Sequence, residues 1–283
     1  MKEFKLVFPE INQSYSIIDL QKTVKGDVKQ ITGNIVTVLL NPKYCKAKKI
    51  YEGQIFYDKF TNEIKFQGKI VGEKSIKTNQ IRLWDDSLNN RLGLEIEKHF
   101  GLNYNANKMW DAVRFVANQY EISPPEQYLK NLTWKGDRNA IAKLLPTYLG
   151  AEDTELNAWI MEHMILGLIK RVFEPGSKFD EMMVLVGGQG IGKSTFARYL
   201  AIRDDWFCTI ENIQGKDAIM NLMGKTVVEI EEFVALRNAK SANEAKSFLS
   251  KLSDRIRIPY EKFSTDVPRT CILIGTLNER TFL

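Results

Sequence analysis

Val184-Leu185-Val186-Gly187-Gly188-Gln189-Gly190-Ile191-Gly192-Lys193-Ser194-Thr195 combines the two strongest local signals in the chain, an apolar run and a glycine-rich turn. A short apolar run, of the kind that forms a buried strand, feeds into a glycine-rich loop that ends in Lys-Ser-Thr at the start of a helix over 196–201. Glycines let the backbone wrap a phosphate with its N–H groups pointing inward, and the helix N-terminus adds partial positive charge. This is the G-x-x-x-x-G-K-[ST] phosphate loop in a strand–loop–helix setting. Gly188, Gln189, Gly190, Ile191 and Gly192 form the expected cradle, and Lys193 reaches the β- and γ-phosphates. Ser194 offers its hydroxyl to Mg²⁺, and Thr195, one residue further into the helix, backs up the α- or β-phosphate.

Downstream, apolar strands are predicted at 226–230 and 271–276, separated by helical stretches at 216–223 and 243–252. Strands alternating with helices imply a parallel sheet covered on both faces. Ligands of such sheets sit beyond the carboxyl ends of the strands, where the loop, the acidic run Glu229-Ile230-Glu231-Glu232 and Asn278 all fall. Phosphoryl transfer to water needs a cation near the phosphates, a carboxylate for the metal's water shell, a second carboxylate for the attacking water and a polar group near the γ-phosphate. Alternation puts Glu229 and Glu231 on one face of a strand and Glu232 on the other unless the strand has ended, so spacing alone does not assign the carboxylate roles.

Between these strands, Arg255, Arg257, Tyr260 and Lys262 alternate in a hairpin-like segment. Such a hairpin presents cations and a ring to a nucleic-acid backbone, or is a structural hairpin whose arginines pair with Asp254 and Asp266.

Upstream, helical spacing recurs through 85–120 with a break at Gly101 and Asn103, and two alternating runs at 51–60 and 63–69 form a hairpin. Residues 35–40 suit a helix or a strand, stopped by Asn41-Pro42. Lysines 43, 46, 48 and 49 beside Tyr44 and Tyr51 form either a solvated loop or a single-strand contact. Asp153 caps a predicted helix over 154–172, with Leu156, Trp159, Ile160, Ile165, Leu166 and Ile169 as its core positions. The chain therefore divides into an extension over 1–25, an α+β domain over 26–122, a helical connector over 123–175 and a phosphate-loop core over 176–283. The fold class is α/β, a parallel-sheet P-loop domain preceded by a mostly helical domain with a small β-hairpin.

The 283 residues are 44% hydrophobic, enough for a substantial core. Three widely spaced cysteines indicate neither a disulfide framework nor a zinc site, and His99 and His163 are isolated. No secretory h-region or membrane-length apolar run occurs, so a soluble cytoplasmic protein with no membrane partner is expected. A net charge of +5 permits nucleic-acid contact without requiring it.

The chain resembles the virulence-associated protein E family of phage and pathogenicity-island proteins, related to the superfamily 3 helicases of the AAA+ class. The matching residues are Arg171-x-x-x-Pro175-Gly176-x-Lys178-Phe179-Asp180, Gly188 to Thr195 and Gly224-Lys225-x-Val227-Val228-Glu229-Ile230-x-Glu232. They continue with Lys246-x-Phe248-Leu249-Ser250, Asp254-x-x-Arg257-x-Pro259-Tyr260, Pro268-Arg269-x-Cys271 and Gly275-Thr276-x-Asn278. The likeness is close from Pro124 onward and looser from Gly33, with Lys135 in place of an acid in a Trp-Asp-Gly motif. The resemblance implies an ATPase that binds ATP and Mg²⁺ through Lys193 and Ser194. It implies Glu229 and Glu232 as the acidic strand end, with Glu229 holding Mg²⁺ through water, and Asn278 as the sensor. It further implies a ring-forming DNA helicase in mobile-element replication, acting on single-stranded or forked DNA, with residues 257–262 facing it. Whether the N-terminal domain binds DNA or a replication partner is left open by the sequence. The family usually continues past the sensor into a region with further arginines, so the expectation is either a C-terminally incomplete core or one without the arginine finger, ring closure and helicase activity. Two rivals are an ATP-gated binding module with slow turnover and, with less support, a small-molecule P-loop kinase.

Overall fold

The structure is a computed structural model that describes residues 6–9, 19–45, 50–73, 77, 80–103, 105–133, 136–137, 139–231, 239–257 and 263–278. The chain forms two compact units, Met1–Pro124 and Pro125–Leu283.

The first unit contains α1 (Thr32–Leu40), α2 (Pro42–Cys45), β1 (Tyr51–Asp58), β2 (Glu63–Ile70), β3 (Ile81–Leu83), α3 (Asp86–Phe100), α4 (Ala106–Ala117) and β4 (Glu121–Ile122). Its sheet runs β3-β2-β1-β4, with β1 and β2 an antiparallel hairpin and β4 parallel to β1. The ambiguous run at 35–40 is helical. Burial on almost every side of α1 outweighs the strand preference of its branched residues, and the Thr37 hydroxyl donates back to the Gly33 carbonyl at 2.9 Å. Asp85 caps α3 through the Leu88 N–H, and Gly101 ends it in the left-handed region, where the sequence marks the break. Within residues 1–25, Leu6 is buried, and Phe8 and Leu20 pack against the core that holds it.

The second unit begins with α5 (Pro124–Lys130), α6 (Leu144–Leu149) and α7 (Glu155–Phe173). Then follow β5 (Met182–Val186), α8 (Lys193–Leu200), a 3₁₀ turn at Asp204–Trp206, β6 (Phe207–Ile210), α9 (Gly215–Leu222) and β7 (Val227–Ile230). The unit closes with α10 (Ala239–Leu249), β8 (Ser253–Ile256), β9 (Thr265–Pro268) and β10 (Ile272–Leu277). The sheet order is β5-β10-β7-β6, every pairing parallel. β10 and β7 are buried at every position whereas β5 and β6 are only partly covered, as expected when the inner strands are flanked by strands and covered on both faces. Among the described residues no helix is long and apolar enough to cross a membrane.

α7 departs from the sequence reading in two respects. Its cap is Thr154, whose hydroxyl accepts from the Asn157 N–H at 3.2 Å, and Asp153 instead pairs with Lys143. Its buried face is Met161, Met164, Gly167, Leu168, Arg171 and Val172, while Leu156, Trp159 and Leu166 are exposed. The helix is apolar on several sides, so hydrophobicity alone does not say which side faces inward. Gly167 and the signature arginine decide it. A Cβ at Gly167 would lie 2.2 Å from the Phe179 ring. The buried Arg171 guanidinium donates to the carbonyls of Ser177 (3.3 Å), Cys271 (2.7 Å) and Phe179 (2.9 Å). It thereby ties α7 to the segments leading into β5 and β10. Burial, with the nearby Arg269 charge adding to it, lowers its pKa. His163 stacks between the rings of Trp159 and Phe179, at 5.0 and 5.2 Å.

Gly167→Ala is expected to lower stability by about 1–3 kcal/mol through overpacking against Phe179, although alanine is the better helix former by about 1 kcal/mol. Urea denaturation checks this; an unchanged or raised midpoint would show that the ring moves aside freely.

Candidate phosphate site at the carboxyl end of the parallel sheet

The loop after β5 begins as a continuation of the sheet, with the Gly187 N–H donating to the Leu277 carbonyl at 3.2 Å. Gly190 and Gly192 then take positive φ of +82° and +95°, which turns the backbone sharply into α8. The helix closes with the Phe196 N–H on the Gly192 carbonyl at 2.8 Å, and the N–H groups of its first turn have no partner within the helix. Gly188, Gln189, Gly190 and Ile191 are exposed, as are Ser194 and Thr195, so the loop forms an open rim.

Lys193, the first residue of α8, is buried and curls back beneath that rim. Its ammonium donates to the Gly187 carbonyl (2.8 Å), the Gly188 carbonyl (2.9 Å) and Asn278 Oδ1 (3.1 Å). Each of the three protons of an ammonium group therefore has an acceptor, and all three acceptors are neutral. These bonds lack the full ion-pair attraction that an anionic oxygen would add, so an anion such as phosphate could compete for this cation.

Glu229, near the end of β7, is fully buried. A buried carboxylate is costly unless bonded. Its Oε1 accepts from the Ser194 hydroxyl at 2.6 Å and the Thr276 hydroxyl at 2.8 Å, and its Oε2 accepts from Thr209 at 3.4 Å. The register explains the two threonines: Thr209 on β6 lies directly beside Glu229, and Thr276 is two residues beyond Ile274, its partner on β10. Both side chains therefore share the face of Glu229. β7 ends at Ile230, and Glu231 leaves the sheet with its N–H on the Ile210 carbonyl at 3.1 Å and its side chain exposed. Glu229 and Glu231 are thus separated by the strand's end, which alternation alone could not show. Glu232 lies outside the described residues.

The structure brings together Lys193, Ser194, Glu229 and Asn278. Thr209 and Thr276 carry no local signal of a role, because threonines in strands are ordinary packing residues and only register places these two on Glu229. Within the hairpin β8–β9, Asp254 pairs not with Arg255 but with the buried Arg269, at 2.7 and 3.2 Å. The Arg269 guanidinium also lies over the Phe248 ring, 4.4 Å from its centroid. Arg255 faces Asp266 at 3.7 Å with both side chains largely exposed, so that pair contributes little. Arg257 is exposed, and Tyr260 and Lys262 lie outside the described residues.

The model of the virulence-associated protein E-like domain matches residues 129–283, more than half of the chain. The chain belongs to the virulence-associated protein E-like family. The matched region falls within the second unit; the looser likeness expected from Gly33 onward lies outside it. Among solved structures, the C-terminal region of NrS-1 in its apo A form is similar, with 15% identity and a TM-score of 0.49. The likeness covers 90% of this chain and 58% of that one, so this chain spans less than two thirds of that structure. No curated protein matches.

Thr276→Val keeps the side-chain shape and removes one donor from a buried carboxylate. It is expected to destabilise by about 1.5–3 kcal/mol, and Thr209→Val, with its longer bond, by less. Chemical denaturation of both variants checks the order; a larger loss for Thr209→Val would contradict the geometry given for Glu229.

Proposed function

We propose that the second unit is a P-loop ATPase core of the AAA+, superfamily 3 helicase-like type, and that it hydrolyses ATP in the presence of Mg²⁺. The observation that supports this best is the pairing of two partners across the sheet's end: the Lys193 ammonium held by neutral, exchangeable acceptors, and the Ser194 hydroxyl on the buried carboxylate of Glu229. That donor set suits a triphosphate beside a hard cation. Ser194 would hold the metal directly and Glu229 through its water shell. The bound cation would neutralise charge developing on the phosphate oxygens. Lys193 would leave the two loop carbonyls for the β- and γ-phosphates, and the cradle from Gly188 to Thr195 would present its N–H groups to them. Asn278, already bonded to Lys193, would sit at the γ-phosphate, and Glu232 would orient the attacking water.

DNA is the proposed partner of this unit. Arg255, Arg257, Tyr260 and Lys262 would face it, joined by Phe263, whose ring is exposed in the same hairpin segment. A role in mobile-element replication, with a homo-oligomeric ring as the working form, rests on the family likeness.

The test is the ATPase rate with and without single-stranded DNA at two salt concentrations. Turnover is expected to rise with DNA and lose that stimulation steeply with salt. Lys193→Ala should reduce turnover by about two orders of magnitude or more. Slow turnover indifferent to DNA, with partner binding intact in Glu232→Gln, would instead identify an ATP-gated binding module.

A further inference from the structure

The basic excess of the chain is confined to one unit. Residues 1–124 carry 19 Lys and Arg against 14 Asp and Glu, whereas residues 125–283 carry 21 of each. The first unit therefore supplies the entire net charge of +5, although it lies outside the family match and contains none of the site described above.

Within that unit one small element is built to present such charge. Residues 21–29 fold into a tight hairpin, with Lys22 bridged to Val28 in antiparallel fashion and the turn closed by the Thr23 N–H on the Asp27 carbonyl at 2.7 Å. Gly26 takes φ of +92° at its tip. Every residue from 21 to 27 is exposed, and Val24 is fully so. The base, by contrast, is locked. The buried Asn34 side chain accepts from the Gln21 N–H at 2.8 Å and donates to the Gln21 and Lys29 carbonyls, each at 2.9 Å. Gln30 donates to the Gly101 carbonyl at 2.9 Å and accepts from the Asn103 N–H at 2.6 Å, and Lys108 donates to the Gln30 carbonyl at 2.8 Å. The base of this exposed turn is thus anchored by a fully bonded buried asparagine and by the α3–α4 junction. It carries Lys22, Lys25 and Lys29 against the single acid Asp27, and Lys43 stands beside its entry, paired with Asp19 at 3.0 Å.

We propose that this hairpin is a duplex-DNA contact, inserted as a two-stranded ribbon along a groove with its lysines on the flanking phosphates. The major groove admits a two-stranded ribbon, and an apolar tip residue such as Val24 suits contact with base edges or methyl groups. A single strand is the poorer fit, because residues 21–29 contain no aromatic ring on which bases would stack. The hairpin shares no residue with the nucleotide site, so the two readings stand or fall separately.

The test uses the full chain and a random-sequence DNA duplex, with a single strand of the same length as a second arm, titrated by fluorescence anisotropy between about 50 and about 200 mM salt. Each lysine on a duplex phosphate contributes about 0.9 to the slope of log affinity against log salt. Lys22→Gln, Lys25→Gln and Lys29→Gln together should therefore flatten the duplex slope by about 2 to 3 and weaken duplex binding about ten-fold or more at the lower salt. Single-strand binding and DNA-free ATPase rate should be unchanged. The substituted side chains are exposed, so the melting temperature should not move. Unchanged duplex affinity and slope in the triple variant would overturn the proposal, and so would an equal loss on duplex and single strand.

Discussion

Two parallel ladders place β10 between β5 and β7, and the arrangement at the sheet's carboxyl end follows from that insertion. Because β10 separates the loop's strand from the glutamate's strand, Asn278 emerges where it can reach Lys193. Thr276, two residues earlier, reaches Glu229. If β5 and β7 were direct neighbours, the loop lysine and the buried carboxylate would have no strand between them to carry polar groups to both. The cost of burying Glu229 is offset by hydroxyls from α8, β6 and β10, so one carboxylate joins three elements.

Several family-signature residues serve this arrangement from a distance. Arg171, Phe179 and Gly176 carry no chemistry of their own in the site. Arg171 fixes the approach to β5 and the start of β10 on α7, and Gly176 donates its N–H to the Arg269 carbonyl at 2.9 Å. Arg269 in turn anchors Asp254 and the hairpin β8–β9. A buried guanidinium bonded to carbonyls from separate segments is a packing device with high geometric demand, since loss of one partner strands several polar groups. Arg171 thus has a structural account that calls for no ligand.

The strand–loop–helix at 182–200 and the apolar runs that became β7 and β10 were legible because each strong local signal, glycine spacing or a continuous apolar run, coincides with its structural cause. The cap of α3 and its glycine stop were legible for the same reason. What was not legible depends on which elements become neighbours. Strand order put Thr209 and Thr276 on Glu229. The tight contact of Gly167 with Phe179 turned α7 so that Trp159 and Leu166 face outward. The hairpin at 21–29 has no sequence signature because it is anchored by Asn34, Gln30 and Lys108, none of which forms a periodic pattern with it.

On the proposed reading, the Lys193 cage would open for a triphosphate, and Ser194 and Glu229 would complete a Mg²⁺ site beside it. Equilibrium ATP binding by calorimetry, with Mg²⁺ and with a chelator, tests this most directly. Saturable binding at one site per chain, strengthened by Mg²⁺, is expected, with the Mg²⁺ dependence lost in Ser194→Ala and binding itself lost in Lys193→Ala. ATP binding that is absent, or that survives both substitutions unchanged, would contradict it.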